Sequence, residues 1–206
     1  MKTIHVITLQ NVANYGSVLQ ALATQELFES LGFDVKFYNY KRKESLTIYS
    51  KIIYFVKTQG IKGLFKSFLW IPSWIKENSI FQKFIKKHLN TIPQIVCESD
   101  DFKKITLDAD IYCTGSDQTW NSGWNNGILS PLFLDFAPAD KPKIAYAASF
   151  GKSSLDENEK ARTKELLSQY SFISVRENSA VNICNDLYPW QVCAHHGQHP
   201  RPSPPS

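Results

Sequence analysis

The sequence predicts an α/β fold on a parallel sheet, and three observations predict it. Short runs of strand character recur at 3–9 (TIHVITL), 34–40 (DVKFYNY), 109–113 (ADIYC), 143–149 (KIAYAAS) and 172–175 (FISV). Segments of helical period separate several of them, at 17–31 and 156–170. The opening strand, helix and strand form a β-α-β unit, which implies a parallel pair joined by a right-handed crossover.

Residues 3–9 read as a buried first strand. In the helix that follows, Leu19, Leu22, Ala23, Leu27 and Leu31 share one face, Ser17 is a natural cap and Gly32 stands at the stop position. Residues 34–40 alternate as the second strand. Residues 41–94 then break the rhythm. Two helices are expected there, at 48–69 and 74–89, separated by Pro72. The segment reads as a helical, basic insertion over the sheet edge or the cleft. The α/β rhythm resumes with the strand at 109–113, a short extended piece at 132–136, the strand at 143–149, a polar helix at 156–170 with Asp156 near its start, and the strand at 172–175. A further helix begins at 177–187.

From Pro189 the character changes. The stretch PWQVCAHHGQHPRPSPPS holds five of the ten prolines and three of the five histidines, without helical or strand period. The expectation is a domain over 1–188, cut before a second domain, and a disordered tail over 189–206 that is foreign to the fold, as a frameshift or an artefact would leave.

Composition bounds the function. The chain has 206 residues, 43% of them hydrophobic and 20% charged, ordinary values for a globular protein with a real core. No run of 18 uncharged apolar residues exists, so no membrane span is expected, and the first residues lack a signal-peptide pattern. The four cysteines, Cys97, Cys113, Cys184 and Cys193, form no CxxC pair. Neither structural zinc nor a disulfide framework is expected, and a reducing cytoplasm fits best. Residues 41–94 carry eleven Lys/Arg against Glu44 and Glu77, a net +9, which leaves −5 for the rest. Such a block suggests an anionic surface as partner for that segment, such as the inner face of a membrane; a lid with solvated lysines is the plainer reading. Nucleic acid is not expected, since no binding module is visible.

Four short constellations carry chemistry. NVANYGSVLQ (11–20) joins the first strand to its helix, where helix N–H groups and a strand's carboxyl end favour a ligand; a tight turn is the alternative. It contains neither GxGxxG nor GxxxxGK. Gly115-Ser116-Asp117-Gln118-Thr119-Trp120-Asn121 follows a strand and is rich in groups that hold hydroxyls, or is an Asx-type turn anchored by Trp120. Tyr146-Ala147-Ala148-Ser149-Phe150-Gly151 permits close backbone approach to a ligand or to a helix. In Ser174-Val175-Arg176-Glu177, a guanidinium at a strand's carboxyl end suits capture of phosphate or carboxylate, or makes a surface pair with Glu177. The histidines are poor catalytic candidates: His5 reads as a satisfied core residue, His88 lies on the basic helix, and His195, His196 and His199 fall in the tail.

In this order, NYGSVLQA, GSDQTWN, LFLDFAP with KIAYAASFG, and ISVRE resemble the polysaccharide pyruvyl transferase family over about residues 3–187. The resemblance implies a Rossmann-like sheet like the N-terminal half of a GT-B fold. It implies transfer of pyruvate from phosphoenolpyruvate to a sugar hydroxyl of a capsular, exopolysaccharide or cell-wall glycan, which is free or lipid-linked. No cofactor or metal is implied. Mapped by motif, Arg176 would contact the anionic donor, and Asn14, Tyr15, Gly16 and Ser17 would line the cleft floor. Ser116, Asp117 and Gln118 would face donor or acceptor, with Asp117 as the base. Family members draw further residues, including a histidine, from a second half, so this chain alone is expected to be inactive or weak. A nucleotide-sugar glycosyltransferase of GT-B type and a catalytically dead remnant are the alternatives.

Overall fold

Burial places the first strand at the centre. In β1 (Lys2–Ile7), Ile4, Val6 and Ile7 are fully enclosed because both faces of the sheet are covered. The computed structural model describes residues 1–42, 48–105, 108–187 and 192–194. Around β1 the chain builds α1 (Tyr15–Ser30), β2 (Phe33–Tyr40), α2 (Ile48–His88), β3 (Thr91–Val96), the short α3 (Ser99–Phe102) and β4 (Ile111–Asp117). It continues through the short α4 (Ser122–Asn125), β5 (Lys143–Ala148), α5 (Glu157–Leu167), β6 (Phe172–Val175), α6 (Asn178–Leu187) and β7 (Val192–Ala194). All strand pairs are parallel, in the order β3-β2-β1-β4-β5-β6-β7. The sheet is the Rossmann-like α/β sheet expected, and its strand order reverses between β1 and β4.

Several local expectations are corrected. The buried stripe of α1 is Val18, Ala21, Thr24, Gln25 and Phe28, whereas Leu19, Leu27 and Leu31 are exposed. Apolar residues lie on both sides of this helix, so periodicity alone left its rotation about the axis open. Asn14, not Ser17, caps the helix: its side-chain oxygen accepts from the Ser17 N–H at 3.3 Å. The segment 132–136 is not extended; Ser130–Phe133 is a 3-10 turn, begun by Pro131 and ended by Leu134 at φ 60°.

The basic segment is joined to the sheet. Helix α2 runs through Pro72, and the interruption falls at Gly60 (φ 59°, ψ −141°), where a glycine reaches a conformation that a side chain disfavours. Pro72 removes one backbone hydrogen bond but does not end the helix. Phe81, Ile85 and Leu89 seat the end of this segment on the sheet with Val18, Val35 and Phe37, and residues 91–96 then add β3 at the edge. At the opposite edge, Val192–Ala194, read from sequence as part of an irregular tail, pair with Ile173–Val175 as β7. Three residues are too few to show a period, and the open side of β6 offers the backbone groups that they satisfy. Residues 188–191 and 195–206, with His195, His196 and His199, lie outside the described residues. Among the described residues, no helix is long and apolar enough to cross a membrane.

His5 is the satisfied core histidine expected: it is 1% exposed, and its Nδ1 lies 3.2 Å from the Tyr38 hydroxyl. Burial, reinforced by Lys36 and opposed by Asp34 and Asp108, pushes its pKa from 6.5 down to about 4. Cys113 is likewise a small buried hydrophobe, and burial pushes its thiol up.

Between pH 6.5 and 4 the unfolded chain therefore binds a proton at His5 that the folded chain refuses, so stability falls as pH falls through that window, by up to about 3 kcal/mol. Urea denaturation from pH 7 to pH 4 should show a smaller acid-side loss for His5→Gln than for the wild type. An equal loss in both would remove His5 as its source.

Candidate functional site

Parallel sheets bind ligands outside the carboxyl ends of their strands, at the point where strand order reverses. Here that point lies between β1 and β4. Two of the sequence motifs meet across it. Ser17 Oγ, in the first turn of α1, donates to Asp117 Oδ2, at the end of β4, at 2.6 Å. The other carboxylate oxygen of Asp117 accepts the Gln118 N–H at 2.7 Å. A second link is made by Thr8 Oγ1, which donates to the Ser116 carbonyl at 3.4 Å. Helix geometry leaves the Tyr15 and Gly16 N–H groups without intrahelical acceptors. A Cβ on Gly16 would meet Asn14 Oδ1, at 3.1 Å, and among the described residues nothing distant in the chain closes over it.

Arg176 leaves the end of β6 and reaches α1. Its backbone N–H donates to the Ala148 carbonyl at 3.0 Å, and its Nη1 lies 3.5 Å from Gln20 Oε1. Gln20 stands one helical turn after Gly16, so the guanidinium and the Asn14–Ser17 turn occupy the same rim of the sheet. Arg176 Nε also lies 3.7 Å from Glu177 Oε2, the surface pair that is the plainer reading of this motif, and one of little energetic weight. The other Glu177 oxygen accepts from Ser149 Oγ at 2.8 Å, which ties the end of β5 to the start of α6.

The remaining candidates are placed less directly. Tyr15 is exposed, but its ring lies 4.8 Å from Phe81 of the α2 segment, towards that helix. Ser116 is buried. Gln118 Oε1 accepts from Asn121 Nδ2 at 2.7 Å, and a side chain on Gly151 (φ 60°) would collide with both residues. Trp120 is the packing anchor that the turn reading required: it stacks on Phe133 and its Nε1 donates to the Leu132 carbonyl at 3.2 Å. The GSDQTWN segment is thus a turn and a rim at once.

Sequence reasoning missed Gln20, Ser149 and Lys152. Lys152 Nζ contacts Ser122 Oγ at 2.6 Å and Glu159 Oε2 at 3.3 Å. Gln20 and Ser149 stood inside quoted motifs; Lys152 directly follows one, and of its partners Ser122 on α4 is 30 residues away and Glu159 on α5 seven. The Nε2 of Gln20 is buried without a hydrogen-bond partner among the described residues.

A family model described as "Polysaccharide pyruvyl transferase" matches residues 14–188, most of the chain, and the chain belongs to that family. No curated protein and no solved structure matches it.

Two glycines should separate fold from site. Gly115 has φ 108°, and a Cβ there would strike the Tyr146 carbonyl, so Gly115→Ala should cost about 2–4 kcal/mol in urea denaturation. Gly16→Ala should stay within about 1 kcal/mol of the wild type. The reverse order would mean that the Gly16 turn is a folding requirement.

Proposed function

We propose that this member of the polysaccharide pyruvyl transferase family binds phosphoenolpyruvate at the rim between β1 and β4 and passes its pyruvyl unit to a sugar of a capsular, exopolysaccharide or cell-wall glycan. The observation that carries this reading is the convergence of a guanidinium, free helix N–H groups and a carboxylate–hydroxyl pair on one rim. Phosphoenolpyruvate carries roughly three negative charges, and preorganised N–H groups and a guanidinium match phosphate and carboxylate oxygens. Arg176, whose pairing with Glu177 at 3.7 Å is exposed and weak, is the residue that would grip them.

In the reaction, C3 of the enol takes a proton and C2 becomes oxocarbenium-like. A sugar hydroxyl oxygen bonds to C2 and loses its proton, the bond from C2 to the phosphate oxygen breaks, and inorganic phosphate leaves. As phosphate leaves, C2 is again oxocarbenium-like; a second hydroxyl of the same sugar bonds to it, its proton passes to the departing phosphate, and the ketal closes. Asp117 would accept the proton of the attacking hydroxyl, since Ser17 and the Gln118 N–H fix its orientation and leave each oxygen a further lone pair.

The α2 segment supports a contact with an anionic membrane face, where a lipid-linked acceptor would sit. Leu69, Lys76, Ile80, Lys83 and Lys87 are all exposed and recur at intervals of seven, four, three and four residues. They form one stripe on the side opposite Phe81, Ile85 and Leu89, which face the core.

Titration of the chain with phosphoenolpyruvate, followed by amide NMR, should shift Gly16 and Arg176, and Arg176→Ala should weaken binding about 10- to 100-fold with the fold intact. Saturable binding of a nucleotide sugar at the same residues, without phosphoenolpyruvate binding, would favour a glycosyltransferase; binding of neither would leave the fold without this chemistry. In co-sedimentation, vesicles containing phosphatidylserine should retain the chain at low salt, and Lys76→Glu with Lys83→Glu should release it. Equal behaviour with neutral vesicles would remove the membrane contact.

A further inference from the structure

A groove of about 520 Å³ lies between the end of α2 and the β2–β3 edge of the sheet. Its lining includes Asn11, Asn39, Gln82 and Asn90, with Lys86 at its edge and Ile85, Leu89 and Pro93 as apolar surface. The arrangement follows from the elements: Asn39 continues the side of β2 that holds Val35 and Phe37, and Gln82, Lys86 and Leu89 recur along one strip of α2.

Four primary amides in one groove are unusual for a surface that serves packing alone. Their contacts within the groove are loose, and the Asn90 amide also donates out of it, to Glu29 Oε1 at 2.9 Å. Gln82 Nε2 donates to Asn11 Oδ1 at 3.4 Å, and Asn39 Nδ2 donates to the Pro93 carbonyl at 3.4 Å, both at the long limit of a hydrogen bond. Asn11 is the firm member: its Nδ2 donates to Asn39 Oδ1 at 3.0 Å and to the Tyr40 carbonyl at 2.8 Å. Among the described residues Gln82 Oε1 receives no donor and Lys86 no ion-pair partner. Asn39, Gln82 and Asn90 each keep an amide hydrogen and an acceptor lone pair beyond these bonds, which matches vicinal hydroxyls, whereas both amide hydrogens of Asn11 are spent on Asn39 and Tyr40; the Pro93, Ile85 and Leu89 surfaces match the C–H face of a pyranose. An anionic ligand would find a single cation, Lys86, among the residues that line the groove.

We propose that this groove binds a neutral sugar unit of the acceptor glycan, set back from the sugar that is modified. The proposal rests on the donor site described above, and Asn11 connects the two: it lies in the turn between β1 and α1 that also carries Asn14–Ser17. A glycan chain seated in the groove would pass Asn11 and present its next residue to the rim. The groove would then select among glycans, whereas the rim performs the transfer.

The test uses the isotope-labelled 206-residue chain and three neutral disaccharides, cellobiose, galactobiose and mannobiose, at millimolar concentration, with phosphoenolpyruvate as a separate titrant. At least one disaccharide should shift the side-chain amides of Asn39, Gln82 and Asn90. Gln82→Ala should lower its affinity at least about tenfold, Asn90→Ala should do so as a second, more exposed variant, and the phosphoenolpyruvate shifts at Gly16 and Arg176 should persist in both. If all three sugars leave the groove amides unmoved, or move only rim residues, the groove is not a glycan site, even where phosphoenolpyruvate still binds. Loss of phosphoenolpyruvate binding in the wild type would instead overturn the donor reading, with the sugar shifts deciding the groove separately.

Discussion

Ser17 and Asp117 are a hundred residues apart in the chain and 2.6 Å apart in space. Their hydrogen bond spans the reversal of strand order, the one place where neighbouring strands send their connecting helices to opposite faces and leave a crevice. The rest of the rim is arranged around this bond. Asn14 caps α1 so that the helix begins at Tyr15 and Ser17 falls in its first turn. Gly115 allows β4 to press against the Tyr146 carbonyl of β5, and the Asp117 carbonyl accepts the Ser149 N–H at 3.0 Å, so the ends of both strands are held together. A carboxylate placed in this way has an orientation before any ligand arrives, as electrostatic preorganisation requires.

Much of this was legible in the sequence, for identifiable reasons. β1 announced itself because strands buried on both faces need continuous apolar residues, β2 because its residues alternate, and the strand-end motifs stood out because small and polar residues break such patterns. What failed was information that only tertiary contact supplies. Nothing in YGSVLQALATQELFES distinguishes Leu19 from Val18 as the buried residue, since both sides of the helix carry apolar groups; the sheet decides. Pro72 looked like a boundary, yet the backbone turned at Gly60, where a positive φ was needed. β3 was hidden because TIPQIV contains a proline and polar residues, which only an edge strand tolerates.

The candidate site was legible as a set of motifs but not as a geometry. Arg176 and Gln20 are separated by most of the chain, and their approach depends on α1 crossing above strands that the sequence could not order. Tyr15 shows the opposite failure. Its place in the motif suggested the cleft floor, but Phe81 offered a ring to pack on, and that partner lies in a segment that sequence rhythm had set aside. The amide groove was invisible for the same reason: Asn39 and Gln82 come from β2 and α2, Asn11 and Asn90 from two separate connecting segments, and the four share no spacing.

The rim and the groove differ in the physics of recognition, and that difference bears on how one domain would serve both substrates. At the rim, charge dominates, and a small anion held by a guanidinium and helix N–H groups would bind strongly but would carry little information about a polymer. In the groove, neutral amides discriminate by the placement of hydroxyls, because each mismatch leaves a polar group unpaired. The amides of Asn39 and Gln82 are held by long bonds that a ligand hydroxyl can replace without exposing a buried charge, so exchange there costs little. Division of labour between a charged rim and a neutral groove follows from what each lining can offer: affinity for the donor in one, choice of acceptor in the other. Asn11, bonded to the groove and covalently part of the turn that forms the rim, is the residue through which occupancy of one would be felt at the other.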